Sequence, residues 1–78
     1  MKKDRIEIFA TLEHRGDELI PVWRWRYRRK NGSIVAGPQE SYTKRMHCIR
    51  MARLVTGFDN RDDLDLIGPN GEDLSAVK

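Results

Sequence analysis

Residues 23–30 read Trp23-Arg24-Trp25-Arg26-Tyr27-Arg28-Arg29-Lys30 and run straight into Asn31-Gly32. Successive side chains of a β-strand point to opposite faces of the sheet. An extended segment here therefore puts Trp23, Trp25 and Tyr27 on one face and Arg24, Arg26 and Arg28 on the other. The stretch defines a core side and a cationic side of one sheet. Interleaved rings and guanidiniums suggest nucleic-acid binding at first sight. Single-strand binders, however, carry rings on the binding face, where bases stack on them. Here the rings fall on the other parity, where a core needs them.

Working outward, residues 5–12 alternate in the same way and form a first strand, with Ile6, Ile8, Ala10 and Leu12 on one side and Glu7, Phe9 and Thr11 on the other. Glu13-His14-Arg15-Gly16-Asp17-Glu18 reads as a polar loop. A second strand is expected to start after Pro21, because proline suits only the first position of a strand or an edge. Asn31-Gly32 between two β-patterned runs predicts a hairpin with a type I′ turn, which needs positive φ at both central residues. A short third strand over 33–36 is ended by Gly37-Pro38. Residues 43–55 contain no Gly or Pro and predict the one helix, capped by Ser41 or Thr43 and closed by Gly57. At about 100° per residue, Cys48, Met51, Ala52 and Val55 gather on one helix face with Ile49 at its edge. His47, Arg50 and Arg53 gather opposite them, together with Met46 and Leu54. Leu64–Ile67 predicts a fourth strand, Pro69-Asn70-Gly71 a turn, and the residues beyond it a tail that frays.

The element order is β-β-β-α-β. It implies one α+β domain over residues 1–78 with its core in 5–68: a two-layer unit in which an antiparallel meander carries the helix on its aromatic face. The expected core is Ile6, Ile8, Trp23, Trp25, Tyr27, Cys48, Met51 and Val55. With 78 residues, 38% hydrophobic and 35% charged, such a core is thin. The single cysteine, Cys48, makes no internal disulfide, and no cluster has metal-ligand spacing. Self-association is the expected supplement. No stretch approaches the roughly 18 apolar residues of a membrane span. Met1-Lys2-Lys3-Asp4 lacks the apolar core of a signal peptide, so a cytoplasmic location and no membrane partner are expected.

Trp25-Arg26-Tyr27, Asn31-Gly32, Ile34-Val35-Ala36, Tyr42 and Arg45 follow one another in the order and spacing of a known family. Over roughly residues 6–56 the chain resembles the YegP-like domain of unknown function. It departs from that pattern at Tyr27, Gln39, Ser41 and Ala52, where the family favours Leu, Ser, Gly and a larger aliphatic. The resemblance implies a β3-α-β unit in its single-copy form. It further implies a homodimer in which two units share one sheet and exchange their C-terminal strands, residues 63–67. The family brings no activity and no catalytic residues to carry over.

Charge is placed unevenly behind the net value of +3. Arg24, Arg26, Arg28, Arg29, Lys30, Lys44, Arg45, Arg50 and Arg53 face only Glu40 in the middle of the chain. After Phe58 the balance reverses, with Asp59, Asp62, Asp63, Asp65, Glu72 and Asp73 against Arg61 and Lys78. Enzyme chemistry is not expected. His47 and Cys48 are neighbours that point about 100° apart on a helix, His14 is a lone imidazole, and the Asp cluster lacks the spacing of a calcium loop. No cofactor motif is present. Two binding sites are candidates. Arg24, Arg26, Arg28, Arg29 and Lys30 form a candidate polyanion site, with nucleic acid as the ligand. Met46, His47, Arg50, Arg53 and Leu54 form a candidate protein interface, since exposed Met and Leu beside Arg is interface-like composition. The favoured expectation is a small non-enzymatic regulatory module with a protein partner, of the kind a phage-type host-targeting factor represents; nucleic-acid binding is the alternative. The bland reading pairs the arginines with Glu7 and with acidic residues of the tail or of a partner.

Overall fold

The two alternating segments form one long antiparallel ladder. In this computed structural model, which describes residues 3–36 and 40–77, β1 (Asp4–Arg15) pairs with β2 (Glu18–Arg28) from Arg5↔Arg28 to Arg15↔Glu18. The register sets Ile6 against Tyr27, Ile8 against Trp25 and Ala10 against Trp23, so the parity read from the sequence holds. β3 (Ile34–Ala36) flanks β2 antiparallel, and β4 (Leu64–Ile67) flanks β1 in parallel, from Asp4↔Leu64 to Glu7↔Ile67. The sheet is mixed, with strand order β3-β2-β1-β4, and one helix, α1 (Arg45–Thr56), packs on its aromatic face. The α+β class and the meander are as expected. The fourth strand lies on β1 of its own chain. The expected strand stop at Gly37-Pro38, and Gln39, lie outside the described residues.

The first hairpin is longer than its composition suggests. No six-residue loop separates the strands: the ladder runs through the charged residues to a two-residue Gly16-Asp17 turn, with Gly16 at φ 62. Pro21 therefore lies within β2, opposite Leu12. Its placement has a physical reason. The N–H of Trp23 donates to the Tyr42 carbonyl (2.6 Å) and the Tyr42 N–H donates to the Trp23 carbonyl (2.9 Å), so Trp23 turns its polar groups away from β1. Alternation turns the nitrogen of Pro21 to the same outer side, where no ladder bond is required.

The second turn also differs from expectation. The N–H of Gly32 donates to the Arg29 carbonyl and the N–H of Arg29 to the Ser33 carbonyl, both at 2.8 Å. Gly32 has φ 96, and no described non-glycine residue has positive φ, so Asn31 is not left-handed and the turn is not type I′. It is a type I turn followed by a left-handed glycine, the three-residue hairpin solution. Asn31 accepts the Ser33 N–H on its side-chain oxygen (2.9 Å).

Helix α1 starts without the expected cap: Lys44 holds the N-cap position and no side chain bonds there. Ser41 instead donates its hydroxyl to Glu13 (3.0 Å). At the other end Gly57 takes the left-handed conformation, φ 68, as predicted. The buried face is Cys48, Ile49, Ala52 and Arg53. Relative to the expected stripe the helix is rotated by about one residue, roughly 100°. Val55, expected in the core, is 62% exposed. Met51, Trp23 and Tyr27 are only partly buried against the core.

What turns the helix is a third wall that comes later in the sequence. Phe58, Leu64, Leu66 and Leu74 are all buried, and Val77 packs against them. The segment after the Gly68–Gly71 turn does not fray: the Leu74 N–H donates to the Leu66 carbonyl (2.8 Å), and Asp73 bridges to Ile67. Arg53 enters the interior because this segment supplies its acceptors, the carbonyls of Ser75 (3.0 Å) and Val77 (2.5 Å) and the Asp59 carboxylate. A buried guanidinium without such partners is strongly destabilising.

Leu74→Ala is therefore expected to lower the unfolding free energy by about 2–5 kcal/mol, the range for a buried leucine. Val55→Ala is expected to change it by less than about 0.5 kcal/mol, as for other exposed positions. Urea unfolding of the two variants checks the helix phase; the reverse ranking contradicts it.

Candidate functional site

The open sheet face is a closed charge network. Odd positions of β1 and even positions of β2 share this face through the register, so Glu7 stands opposite Arg26 and beside Arg5 and Arg28. One oxygen of Glu7 accepts Nε–H of Arg26 (2.6 Å) and of Arg28 (3.1 Å), and the other accepts Nε–H of Arg5 (2.8 Å). Glu13 does the same work nearer the turn, accepting from Arg24 (3.1 Å), Arg15 (2.9 Å) and the Ser41 hydroxyl (3.0 Å). The Arg26 guanidinium also lies over the Phe9 ring, 4.8 Å from its centroid. Glu18 and Asp65 occupy the same face by register, opposite Arg15 and Arg5. Five arginines are thus set against four carboxylates.

Burial pushes the Glu7 carboxyl up, but the hydrogen bonds from Arg5, Arg26 and Arg28 outweigh it and bring the pKa from 4.5 down to about 2. The Arg15 and Ser41 hydrogen bonds hold Glu13 low as well. Both stay ionised at neutral pH. Arg24, Arg26 and Arg28 therefore meet this chain's own strand carboxylates, while Asp59 pairs with Arg53, Asp63 with Arg61 and Glu72 with Arg45. A polyanion on this face competes with Glu7 and Glu13 for the arginines. Phe9 is the ring beside the arginines, and it is covered by Arg26.

The candidate polyanion residues divide accordingly. Arg29 and Lys30 are exposed at the second hairpin and, among the described residues, make no ion pair. They border a hollow of about 380 Å³ with Asp4, Tyr27, Asn31 and Val35. Asp4 ties that hairpin down, accepting the Tyr27 hydroxyl and the Lys30 backbone N–H, each at 2.8 Å.

The outer face of α1 is different in kind. Leu54 is 73% and Met46 38% exposed, with Val55 and Arg50 exposed beside them. Arg50 has no ion pair among the described residues. The ring of His47 leans on Tyr42, centroids 5.0 Å apart. Arg50, Met51, Arg53, Leu54 and Asp59 line a groove of about 640 Å³. Arg53 is a correction to the candidate interface. It is buried, saturated by the C-terminal carbonyls and Asp59, and stacked on Phe58 (5.0 Å), so it forms the groove's inner wall.

Sequence reasoning missed Arg5, Glu13, Arg15 and Ser41 as members of the sheet-face network. The signal was present in the β1 odd positions, where Glu7 and Glu13 share a face with the arginines of β2 and each has an arginine two residues away, Arg5 and Arg15. Cys48 is fully buried, and burial pushes its thiol up to about 11, far from a nucleophilic thiolate. Among the described residues no group of three His, Cys, Asp or Glu is placed to hold a metal ion, and no helix is long and apolar enough to cross a membrane. No family model, curated protein or solved structure matches the chain.

The depressed pKa of Glu7 has a definite sign. Its contribution to stability is complete above 4.5 and is lost as the pH falls towards about 2. Glu7→Gln is expected to flatten the acid limb of stability in that window. At neutral pH it is expected to cost about 1.5–3 kcal/mol, the range for hydrogen bonds to a charged group. Urea midpoints of both proteins across the acid range check this, and parallel curves contradict it.

Proposed function

We propose that this chain is a non-enzymatic binding module that engages a protein partner through the outer face of α1. The observation that carries the reading is the contrast between its two charged faces. The sheet arginines Arg24, Arg26 and Arg28 are each already ion-paired to Glu7 or Glu13, whereas Arg50, with no ion pair among the described residues, lies beside exposed Leu54, Met46 and Val55 at the mouth of a groove. Apolar side chains around an available arginine suit a partner segment that presents a hydrophobic residue flanked by a carboxylate. His47 and Met51 complete the contact surface.

The same reading places the chain among the YegP-like domains and in the cytoplasm. Its supports are the β-β-β-α-β order, the Trp25-Arg26-Tyr27 strand and the buried, unpaired Cys48 thiol. It also includes a homodimer. Exchange of β4 between copies, which the resemblance implies, would replace the pairing of β4 on its own β1 by the same pairing from a second copy. Nucleic acid is the second reading, and it is favoured by a single feature: exposed Arg29 and Lys30 at the β2–β3 hairpin.

A partner captured after nuclease treatment separates the two. Leu54→Asp and Arg50→Glu are each expected to weaken its affinity at least tenfold, or about 1.4 kcal/mol, while Arg29→Ala with Lys30→Ala leaves it unchanged. Capture that disappears with nuclease, falls steeply with salt and depends on Arg29 and Lys30 would instead establish the nucleic-acid reading.

A further inference from the structure

We propose that the outer edge of β1 beyond Glu7 is a self-association edge, on which a second copy of this chain pairs antiparallel about Leu12. β4 covers β1 only from Asp4 to Glu7, and β1 runs on to Arg15. Among the described residues no strand lies on the outer side of that remaining stretch. A long unpaired edge is a template for another strand.

The direction of the backbone groups is fixed by the other side of the hairpin. Trp23 spends both its N–H and its carbonyl on Tyr42, so Ala10 and Trp23 face each other without exchanging bonds. The N–H and carbonyl of Ala10 then point outward, and alternation gives the same direction to Leu12 and His14. The opposite edge of the hairpin is closed to pairing, by Tyr42 at Trp23 and by Pro21, whose nitrogen faces out with no proton to give. Of the two edges of this hairpin, the β1 edge is the one that offers a full set of donors and acceptors among the described residues.

Side chains choose the register. A two-fold axis at Thr11 would run Arg15 of the second copy against Glu7, where β4 already pairs. An axis at Glu13 would set two carboxylates directly opposite each other, which is unfavourable. An axis at Leu12 avoids both. It pairs Leu12 with Leu12, Ala10 with His14, Phe9 with Arg15 and Thr11 with Glu13. Leu12 is 61% exposed in the single chain, and the pairing covers it with its own copy. Three bonded pairs, at Ala10, Leu12 and His14, supply about six backbone hydrogen bonds. The interface falls below about 1,200 Å², so the dimer forms reversibly with concentration. It does not depend on the helix-face reading, which uses the outer face of α1, and it takes the place of the β4-exchanged homodimer.

Sedimentation equilibrium at tens to hundreds of micromolar is expected to approach twice the 9.1 kDa of the chain. Leu12→Pro removes the outward N–H but no bond within the chain, because Leu12 faces Pro21 at a non-bonded pair. It is expected to keep the native circular dichroism and to sediment as a monomer. Leu12→Cys is expected to oxidise to a disulfide-linked dimer, since directly paired Cα atoms about 5.5 Å apart are within disulfide reach. Leu19→Cys, which is 54% exposed on β2, is the control expected to remain reduced. Buried Cys48 stays outside the reaction. A wild-type monomer over the whole range would overturn the proposal. So would a folded Leu12→Pro variant that still dimerises, the result expected of strand exchange, or equal cross-linking of the two cysteine variants. Should Leu12→Pro not fold, the cysteine pair alone decides.

Discussion

The carboxylate of Glu7 holds three guanidiniums on one sheet face, and the architecture around it follows from how that is possible. Arg5, Arg26 and Arg28 converge on it because the β1–β2 register puts Glu7 opposite Arg26 and between the neighbouring pair. Unit charges 4 Å apart interact with about 4 kcal/mol at an effective dielectric of 20. Like charges this close therefore need a counter-charge if the strand is to carry them side by side. The parity that serves the arginines also delivers Ile6, Ile8 and Trp25 to the opposite face, where they are buried. One register satisfies both faces, and a slip of one residue would lose both.

The ladder also explains the division of labour between surfaces. Carboxylates within β1 pair with the arginines of β2, so the sheet face is held in place by its own side chains. The helix layer is assembled differently. Its outer surface leaves Leu54, Val55 and Arg50 to solvent, because the helix is turned to seat Ile49 and Arg53 against the C-terminal wall. Burial of Trp25 illustrates the cost of a small core. Among the described residues its indole N–H has no partner, a loss of about 1–3 kcal/mol. Removing a ring of about 200 Å² from water contributes more than that, at about 25 cal/mol per Å².

Period-two alternation was the part of the fold most legible in the sequence, since aromatic and charged side chains on alternate positions leave one arrangement open. The meander, the helix, the fourth strand and the left-handed Gly57 were legible for the same local reasons. The length of the first hairpin was not. Glu13, His14, Arg15, Asp17 and Glu18 have loop composition, yet backbone ladder bonds do not depend on side-chain polarity, and Glu13 finds Arg24 and Ser41 across the sheet while holding Arg15 beside it. The helix phase was hidden for a different reason. Hydropathy sends Val55 in and Arg53 out, but the actual phase is set by Leu66, Leu74 and the carbonyls of Ser75 and Val77, which lie more than ten residues downstream. The candidate site was legible to the extent that Glu7 was foreseen as a partner for the arginines. The second counter-ion, Glu13, was lost with the loop assignment, and with it the recognition that the face is closed.

Direct titration of the Glu7 side-chain carboxyl by carbon-detected NMR tests the central claim, that this group is the ionised anchor of the arginine face. The expected midpoint is about 2, with the Nε–H signals of Arg5, Arg26 and Arg28 shifting through the same transition. A midpoint near the unperturbed 4.5, with arginine signals indifferent to it, would contradict the network and reopen the sheet face to a polyanion.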